Sequence, residues 1–134
     1  MSPVLTVGAL VRGPAGKLLL VRTGKWSGLW GVPGGKVEYG ESLSAALLRE
    51  FSEEVGLELF DLELALIQEA IFDPEFYRPE HMILVNYLAR ASGEQVEPNS
   101  EILEWKWLGL AEALELPLNR VTGVLLDWYR ERLG

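Results

Sequence analysis

The chain has 134 residues, 49% of them hydrophobic, no Cys, and a formal net charge of −8. This length and apolar share predict one globular domain over residues 1–134 and exclude a disordered chain, while the missing Cys excludes disulfides, thiolate metal sites and Cys nucleophiles. The acidic charge argues against a nucleic-acid partner, and without a membrane-length apolar run or a leader-like start we expect a cytoplasmic protein with no membrane partner.

Two strand-like runs, residues 4–11 and 17–22, open the chain. The Gly-Pro-Ala-Gly sequence between them predicts a hairpin. In the following loop, Trp26 and Trp30 either line a pocket for a base or, as we favour, pack as core residues. The loop ends in a Pro-Gly-Gly sequence at residues 33–35, which predicts a tight turn.

A helix is predicted over residues 42–55, because Ser42 is a good N-cap, no Pro or Gly interrupts the segment, and Gly56 supplies a stop. At about 100° per residue, the apolar side chains fill one arc of this helix and the acids fill the neighbouring arc. The apolar arc holds Leu43, Leu47, Leu48, Phe51 and Val55. The acidic arc holds Glu50, Glu53 and Glu54.

The acids of this helix repel one another. Glu50 and Glu54 are four residues apart, with Glu53 beside both, and like charges at this spacing destabilise a helix. Arg49 is the one basic residue that the helix offers, and it cannot neutralise three carboxylates plus Glu41. A divalent cation that prefers oxygen ligands, such as Mg²⁺, can do so. The alternative is a solvated acidic helix face.

The spacing around the helix is specific. Gly35 is followed by five residues, Glu41, seven residues, and then the sequence Arg-Glu-Phe-Ser-Glu-Glu-Val-Gly-Leu at residues 49–57. This pattern matches every fixed position of the Nudix box, and the chain therefore resembles the Nudix hydrolase family. The detailed resemblance covers only this stretch.

The resemblance implies a fold and a reaction. The order of predicted elements alone supports an α/β or α+β domain, whereas the family implies an α/β/α sandwich with a mixed sheet, in which the box forms a loop-helix-loop. The implied reaction is attack of water on a phosphorus of a nucleoside diphosphate derivative, with cleavage of the P–O–P bridge. The implied cofactor is Mg²⁺, with Mn²⁺ as a substitute.

The resemblance also implies roles for residues of the box. The expected Mg²⁺ ligands are the Gly34 carbonyl oxygen and the carboxylates of Glu50, Glu53 and Glu54. Glu50 is the first candidate to deprotonate or orient the attacking water. Arg49 is expected to support catalysis by orienting these carboxylates or by pairing with Glu41, rather than by touching the substrate.

Further candidates lie outside the box. Members of the family place an extra metal-binding Glu before a Trp-bearing strand; Glu101 is the best match, with Glu104 in reserve, and Glu101 is also the second candidate for the base. Arg22 is either a phosphate contact or an ordinary surface residue, and Lys25 is a similar candidate. Asn119 is most simply a helix N-cap, and the alternative is a contact with the base of a substrate.

The remaining elements follow from local patterns. Residues 58–72 are predicted as one strand with a bend at Asp61 or as a pair of strands. Further strands are predicted over residues 81–92 and at the end of residues 99–109, and helices over residues 111–116 and 119–133. His81, at a strand start, is either a general base or, as we favour, incidental.

For the substrate we expect a small nucleotide, and first a nucleoside triphosphate that is cleaved to the monophosphate and pyrophosphate. The alternatives are ADP-ribose or a nucleotide sugar, because Pro74 lies near a Pro position of such members, and a dinucleoside polyphosphate, with Tyr77 as a stacking residue. A further alternative is a domain that binds nucleotide without turnover. Because many members of the family dimerise, a homodimer is also possible.

Overall fold

The apolar and alternating segments form the strands of one seven-stranded sheet. The computed structural model describes all residues from Met1 to Gly134. The strands are β1 (Val4–Arg12), β2 (Leu18–Thr23), β3 (Trp30–Gly31), β4 (Gly34–Lys36), β5 (Leu59–Ile71), β6 (His81–Ala91) and β7 (Ile102–Leu108). The predicted strands are therefore confirmed, and β5 is a single strand that bends at Asp61, where φ is 53°.

Strand β1 is central to the sheet because it pairs with three other strands. It runs parallel to β6, from Val4 opposite Met82 to Arg12 opposite Arg90, and antiparallel to β2 and β4. The spatial order is β3-β2-β1-β6-β5, with β4 also on β1 and β7 also on β2. One parallel pair among antiparallel pairs confirms the expected mixed sheet.

Helices cover both faces of the sheet. They are α1 (Leu43–Val55), α2 (Leu110–Leu114) and α3 (Arg120–Leu133). Ser42 caps α1 by accepting a hydrogen bond from the Ala45 N–H, and Gly56 ends the helix at a φ of 67°. Asn119 caps α3. None of these helices has the length and apolar character needed to cross a lipid bilayer.

Two main apolar clusters hold these layers together. The larger one packs α1 against one face of the sheet through side chains that include Val11, Leu19, Leu47, Phe51 and Val55. The second packs α2 and α3 against the other face through Leu10, Leu18, Leu20, Trp30, Ala113, Leu125 and Leu126. The expected α/β/α sandwich is thus confirmed, with α1 alone on its face.

Three local predictions are wrong. Leu48 is 43% exposed, because it lies at the margin of the apolar arc, and Ala46 is buried in its place. The Gly-Gly sequence at residues 34–35 is part of strand β4 and pairs with β1, so it is not a tight turn. The short strand β3 falls in a segment that the sequence predicted as loop, because only its pairing with β2 defines it.

Candidate active site

A cavity of about 700 Å³ opens where α1, the sheet and the start of α3 meet. Side chains and backbone of β1, β4, α1, β6, α3 and the segment before β6 line it. Ligand cavities in proteins commonly measure about 300–1,000 Å³. The cavity therefore has the size of a small-molecule site, and the acids of α1 lie along one side of it.

Arg49 lies at the centre of the acidic side. Its Nε and Nη2 donate to the two carboxylate oxygens of Glu41 at 2.6 and 2.9 Å, and its Nη1 donates to Glu50 Oε1 at 2.9 Å and to Glu53 Oε2 at 3.3 Å. Nη2 also donates to the Lys36 carbonyl oxygen of β4. The hydrogen bonds from the guanidinium lower the pKa of Glu41 to about 2. Arg49 both pairs with Glu41 and orients two further carboxylates.

Glu54 lies deeper than the other acids of α1 and is 7% exposed. Its Oε1 accepts a hydrogen bond from the Gly34 N–H at 2.9 Å. Burial raises the pKa of Glu54 to about 8, and the neighbouring charges of Glu50 and Glu101 add to the rise. Burial also raises the pKa of Glu50, although Arg49 opposes it. The carboxylates of Glu50, Glu54 and Glu101 therefore lie close enough to repel one another, with too little positive charge between them.

Two glycines make room for this arrangement. A Cβ at Gly34 would lie 2.7 Å from the Gly8 Cα of β1, and a Cβ at Gly35 would lie 2.6 Å from Glu50 Oε1. Gly34 thus permits the close pairing of β4 with β1, and Gly35 permits the approach of the Glu50 carboxylate to the β4 backbone. The role of the Gly34 carbonyl oxygen as a metal ligand stays a prediction.

Lys25 and Glu101 close the acidic side of the cavity. Lys25 lies on a single 3-10 turn at Gly24–Trp26, and its Nζ pairs with Glu101 Oε1 at 3.0 Å. The hydrogen bond with Glu101 raises the pKa of Lys25. Both residues line the cavity together with Glu50 and Glu54. The structure therefore brings the loop acid Glu101 to the acids of α1, and its role as a metal ligand, which the family resemblance implies, stays a prediction.

Aromatic side chains form another wall. Trp26 lies edge-on to Phe76, with ring centroids 4.8 Å apart, and Phe76 lies edge-on to Tyr77 at 5.0 Å. Ser27 Oγ donates to the Glu75 carbonyl oxygen at 2.7 Å and so ties the two loops that carry these rings. All three rings line the cavity. Trp26 thus lines the cavity and also packs against the small buried cluster of Ala70, Met82 and Val121, so it combines the pocket and the core alternatives.

Two buried amides, Asn86 of β6 and Asn119 at the start of α3, form part of the cavity lining. They are 4% and 3% exposed. Asn119 was a candidate from the sequence, but Asn86 was missed, together with its neighbour Gln68 on β5. The sequence does contain a sign of Asn86, because it is a lone amide within the apolar run of residues 82–89. A buried amide needs a hydrogen-bond partner, so such a residue indicates a buried polar contact or a ligand.

Several other candidates lie away from the cavity. Arg22 pairs with Glu104 at 3.1 Å, because β2 and β7 place these two residues opposite each other. Neither residue lines the cavity, and neither does His81. Trp30 is buried against α3, as predicted for a core residue. Arg22 and Glu104 therefore neutralise each other's charge outside the cavity, and Lys25 is the basic residue that lies beside Glu101 and the acids of α1.

The acidic side suits a hard divalent cation, although its geometry is not a closed cage. No three Asp, Glu or His side chains converge closely enough to hold one metal ion together, and Glu53, which also lines the cavity, is exposed and bonded to Arg49. Mg²⁺ usually binds through one or two carboxylates, several waters and substrate phosphates. The buried, crowded oxygens of Glu50 and Glu54 fit that mode of binding, with Glu101 next to them.

The chain is similar to known proteins over most of its length. A model of the NUDIX domain matches residues 2–129. The chain is 32% identical over 134 residues to the NAD-capped RNA hydrolase NudC of Pseudomonas aeruginosa. The matched region covers 98% of this chain and 45% of NudC. A shorter match, 44% identical over 63 residues, covers 46% of the chain and 45% of "Putative 8-oxo-dGTP diphosphatase 2" of Mycobacterium tuberculosis. These matches span less than half the length of either relative.

Among solved structures, the NUDIX domain of Shewanella oneidensis NrtR, in a cocrystal with ADP ribose, superposes with a TM-score of 0.81. It is 27% identical in sequence, and the match covers 100% of this chain and 90% of that one. The shared fold thus extends well beyond the stretch of residues 35–57 in which the motif lies.

Proposed function

The chain belongs to the NUDIX family, the Nudix hydrolases, and we propose that it is a Mg²⁺-dependent pyrophosphohydrolase that cleaves a nucleoside triphosphate to the monophosphate and pyrophosphate. The observation that carries this proposal is the crowding of Glu50, Glu54 and Glu101 beside a cavity of nucleotide size. Such crowding is relieved by a proton in the metal-free protein, or by positive charge that enters with the ligand when the carboxylates are ionised.

The carboxylates of Glu50 and Glu54 would hold the metal, with Glu101 and the Gly34 carbonyl oxygen as further ligands. A bound Mg²⁺ would supply charge neutralisation at the phosphates and would favour deprotonation of a nearby water. Glu50 is our first choice to orient or deprotonate the attacking water, because burial raises its pKa and so its basicity. Glu101 is the second choice. Glu53 is exposed and bonded to Arg49, and its role as a further metal ligand stays a prediction.

Other groups of the cavity suit the rest of a nucleotide. Lys25 and Arg78 line it and carry positive charge that can approach phosphates. Phe76 and Tyr77 present aromatic rings against which a base can stack. Asn119 can offer its amide nitrogen to a base, because its oxygen caps α3 and no protein acceptor takes the nitrogen.

A second candidate substrate is ADP-ribose. The observation in its favour is the NrtR domain, which has the same fold and was solved with ADP ribose. The first candidate is favoured by the match to a protein named as an 8-oxo-dGTP diphosphatase. Both substrates carry the same P–O–P bridge, so they differ in the group attached to it and share the chemistry proposed for the acids.

The test is a panel of triphosphates, ADP-ribose, nucleotide sugars and diadenosine polyphosphates, assayed for released pyrophosphate, monophosphate or ribose phosphate with Mg²⁺ and with EDTA. We expect pyrophosphate from triphosphates with Mg²⁺ only, and at least about 100-fold less in Glu54→Gln. Glu131→Gln, on the exposed side of α3, is the matched control and should keep wild-type activity. Tight nucleotide binding without any turnover would contradict the proposal and would favour a binding domain.

A further inference from the structure

The cavity lining includes two side-chain amides whose orientation is fixed by their hydrogen-bond partners. Asn86 and Asn119 line the cavity and are almost fully buried. An amide oxygen and nitrogen have nearly the same size, so the assignment must come from partners that can only donate or only accept. Asn119 bonds directly to such a group, the Thr122 N–H, and Asn86 is linked through Gln68 to the Val121 carbonyl oxygen.

For Asn86 the fixed partner is the Val121 carbonyl oxygen, which can only accept. An atom of Gln68 lies 2.8 Å from that oxygen and must therefore be the nitrogen, Nε2. The same Nε2 lies 2.9 Å from Asn86 Oδ1, so the Asn86 partner must be an oxygen. The Asn86 nitrogen, Nδ2, then points away from Gln68 and makes no hydrogen bond within the protein.

The free nitrogen of Asn86 is in contact with the cavity. Every side-chain nitrogen or oxygen that is sealed from solvent in this structure has a hydrogen-bond partner. Since Asn86 Nδ2 has none and Asn86 lines the cavity, this nitrogen is reachable from the cavity. Asn119 is fixed in the same way, because its Oδ1 accepts from the Thr122 N–H at 2.9 Å and leaves its nitrogen as the free end.

Apolar side chains adjoin Asn86. Met82 and Leu84 lie on the same face of β6 as Asn86, and they line the cavity together with Val4 and Val121. In such surroundings a donor that meets another donor stays unpaired, and an unpaired buried donor is costly. This part of the cavity therefore discriminates between an acceptor and a donor on the ligand.

Resting on the proposed nucleotide substrate, we infer that Asn86 is a specificity-determining residue that donates a hydrogen bond to a carbonyl oxygen on the base. The cavity then selects bases with an oxo group over bases that carry an amino group at the same position. Gln68 is a positioning residue, since it holds the Asn86 oxygen and so turns the Asn86 nitrogen to the ligand. Neither residue touches the reacting phosphates.

The experiment compares substrate pairs that differ in this group, ITP with ATP and UTP with CTP, by kcat/KM in Mg²⁺. We expect wild-type protein to prefer the oxo member of at least one pair by about 10-fold or more. Asn86→Asp keeps the shape but replaces the donor with an acceptor, so it should lower that ratio by at least about 10-fold. Gln95→Glu, an exposed position outside the cavity, adds the same charge and should leave the ratio unchanged.

Two further variants keep the inference falsifiable if Asn86→Asp fails to fold. Asn86→Leu should abolish the preference without reversing it, and Gln68→Leu, which frees the Asn86 oxygen, should reduce the oxo-to-amino ratio of kcat/KM. A merely structural role would lower turnover of both substrates alike and leave the ratio fixed. An unchanged ratio in a folded Asn86 variant overturns the inference.

Failure of the inference is distinguishable from failure of the proposed function. Turnover of triphosphates with no oxo preference contradicts only the role of Asn86. If turnover is confined to ADP-ribose, inosine diphosphate ribose replaces ITP in the comparison. If nothing is turned over, calorimetric affinities for ITP and ATP give the same ratio; absence of binding overturns both proposals.

Discussion

Arg49 connects more acidic side chains than any other residue of the site. Lys at this position would keep the charge but could not donate to Glu41 with two nitrogens while also reaching Glu50. We expect Arg49→Lys to reduce kcat/KM by about 10- to 100-fold, because each lost charged hydrogen bond is worth about 1.5–3 kcal/mol. The circular dichroism spectrum should stay native.

The matched control for this change is Arg130→Lys. Arg130 pairs with Asp127 on the exposed side of α3 and lies outside the cavity. Its substitution should leave activity unchanged. Wild-type activity in Arg49→Lys would show that the guanidinium fork is not required.

Glu54 gives the metal-free protein a distinct dependence on pH. Its folded-state pKa of about 8 lies above the ordinary value of 4.5, so between these values the folded protein binds more protons than the unfolded chain. The free energy of unfolding should therefore fall as pH rises from 5 to 8.5 in EDTA. Urea titrations across this range measure the slope, and Glu54→Gln should flatten it.

Glu131→Gln serves again as the control for the pH series, since Glu131 is exposed and distant from the cavity. The slope should persist in that variant. An identical slope in wild type and in Glu54→Gln would show that Glu54 is ionised in the folded protein and that its burial is compensated.

At the scale of elements, the two adjacent glycines of β4 allow the close approach of two different groups, the backbone of β1 at Gly34 and the Glu50 side chain at Gly35. A Cβ at Gly34 would meet the backbone of β1, which cannot yield, whereas a Cβ at Gly35 would meet the movable carboxylate of Glu50. We expect Gly34→Ala to destabilise the fold by about 2 kcal/mol or more. Gly35→Ala should leave the melting temperature within a few degrees but reduce kcat strongly, by displacing Glu50.

Gly123→Ala is the control for both substitutions, because a Cβ there meets nothing within 4 Å. In the interior of α3 it should stabilise the protein by roughly 0.5–1 kcal/mol. Equal losses of stability in the Gly34 and Gly35 variants would contradict the separation of the two roles.

The same elements show which features a sequence can reveal. The bounds of α1 were predicted because Ser42 and Gly56 act within a few residues of the groups that they cap. The pairing of Arg22 with Glu104 was not predicted, because it depends on the register of two strands that are far apart in the chain. The approach of Gln68 to Asn86 likewise requires β5 and β6 to be paired.

Only part of the candidate site follows from local spacing. The helix periodicity correctly placed Glu50 and Glu54 on one side of α1 but could not tell that Glu54 is buried while Glu53 is exposed. That difference arises because β4 covers one edge of α1, where the Gly34 N–H meets Glu54. The family resemblance supplied the position of Glu101, which no local pattern distinguishes from an ordinary loop acid.

At the scale of the whole molecule, charge couples the fold to its ligand. The chain carries a net charge of −8, and its cavity concentrates acids that repel one another, so the metal-free protein is destabilised at its own site. A bound divalent cation removes this repulsion. Metal binding should therefore contribute to folding stability as well as to activity.

We accordingly expect Mg²⁺ to raise the melting temperature. At a concentration ten times its Kd, a ligand that binds only the folded state adds about 1.4 kcal/mol, or roughly 4–6 °C for a domain of this size. Calorimetry with Mg²⁺ and with EDTA measures the shift. In Glu54→Gln the shift should disappear, although that variant should start from a higher metal-free stability at pH 8, because one buried charge is gone. K⁺ at the same ionic strength is the control, and an equal shift with K⁺ would indicate general screening in place of a specific site.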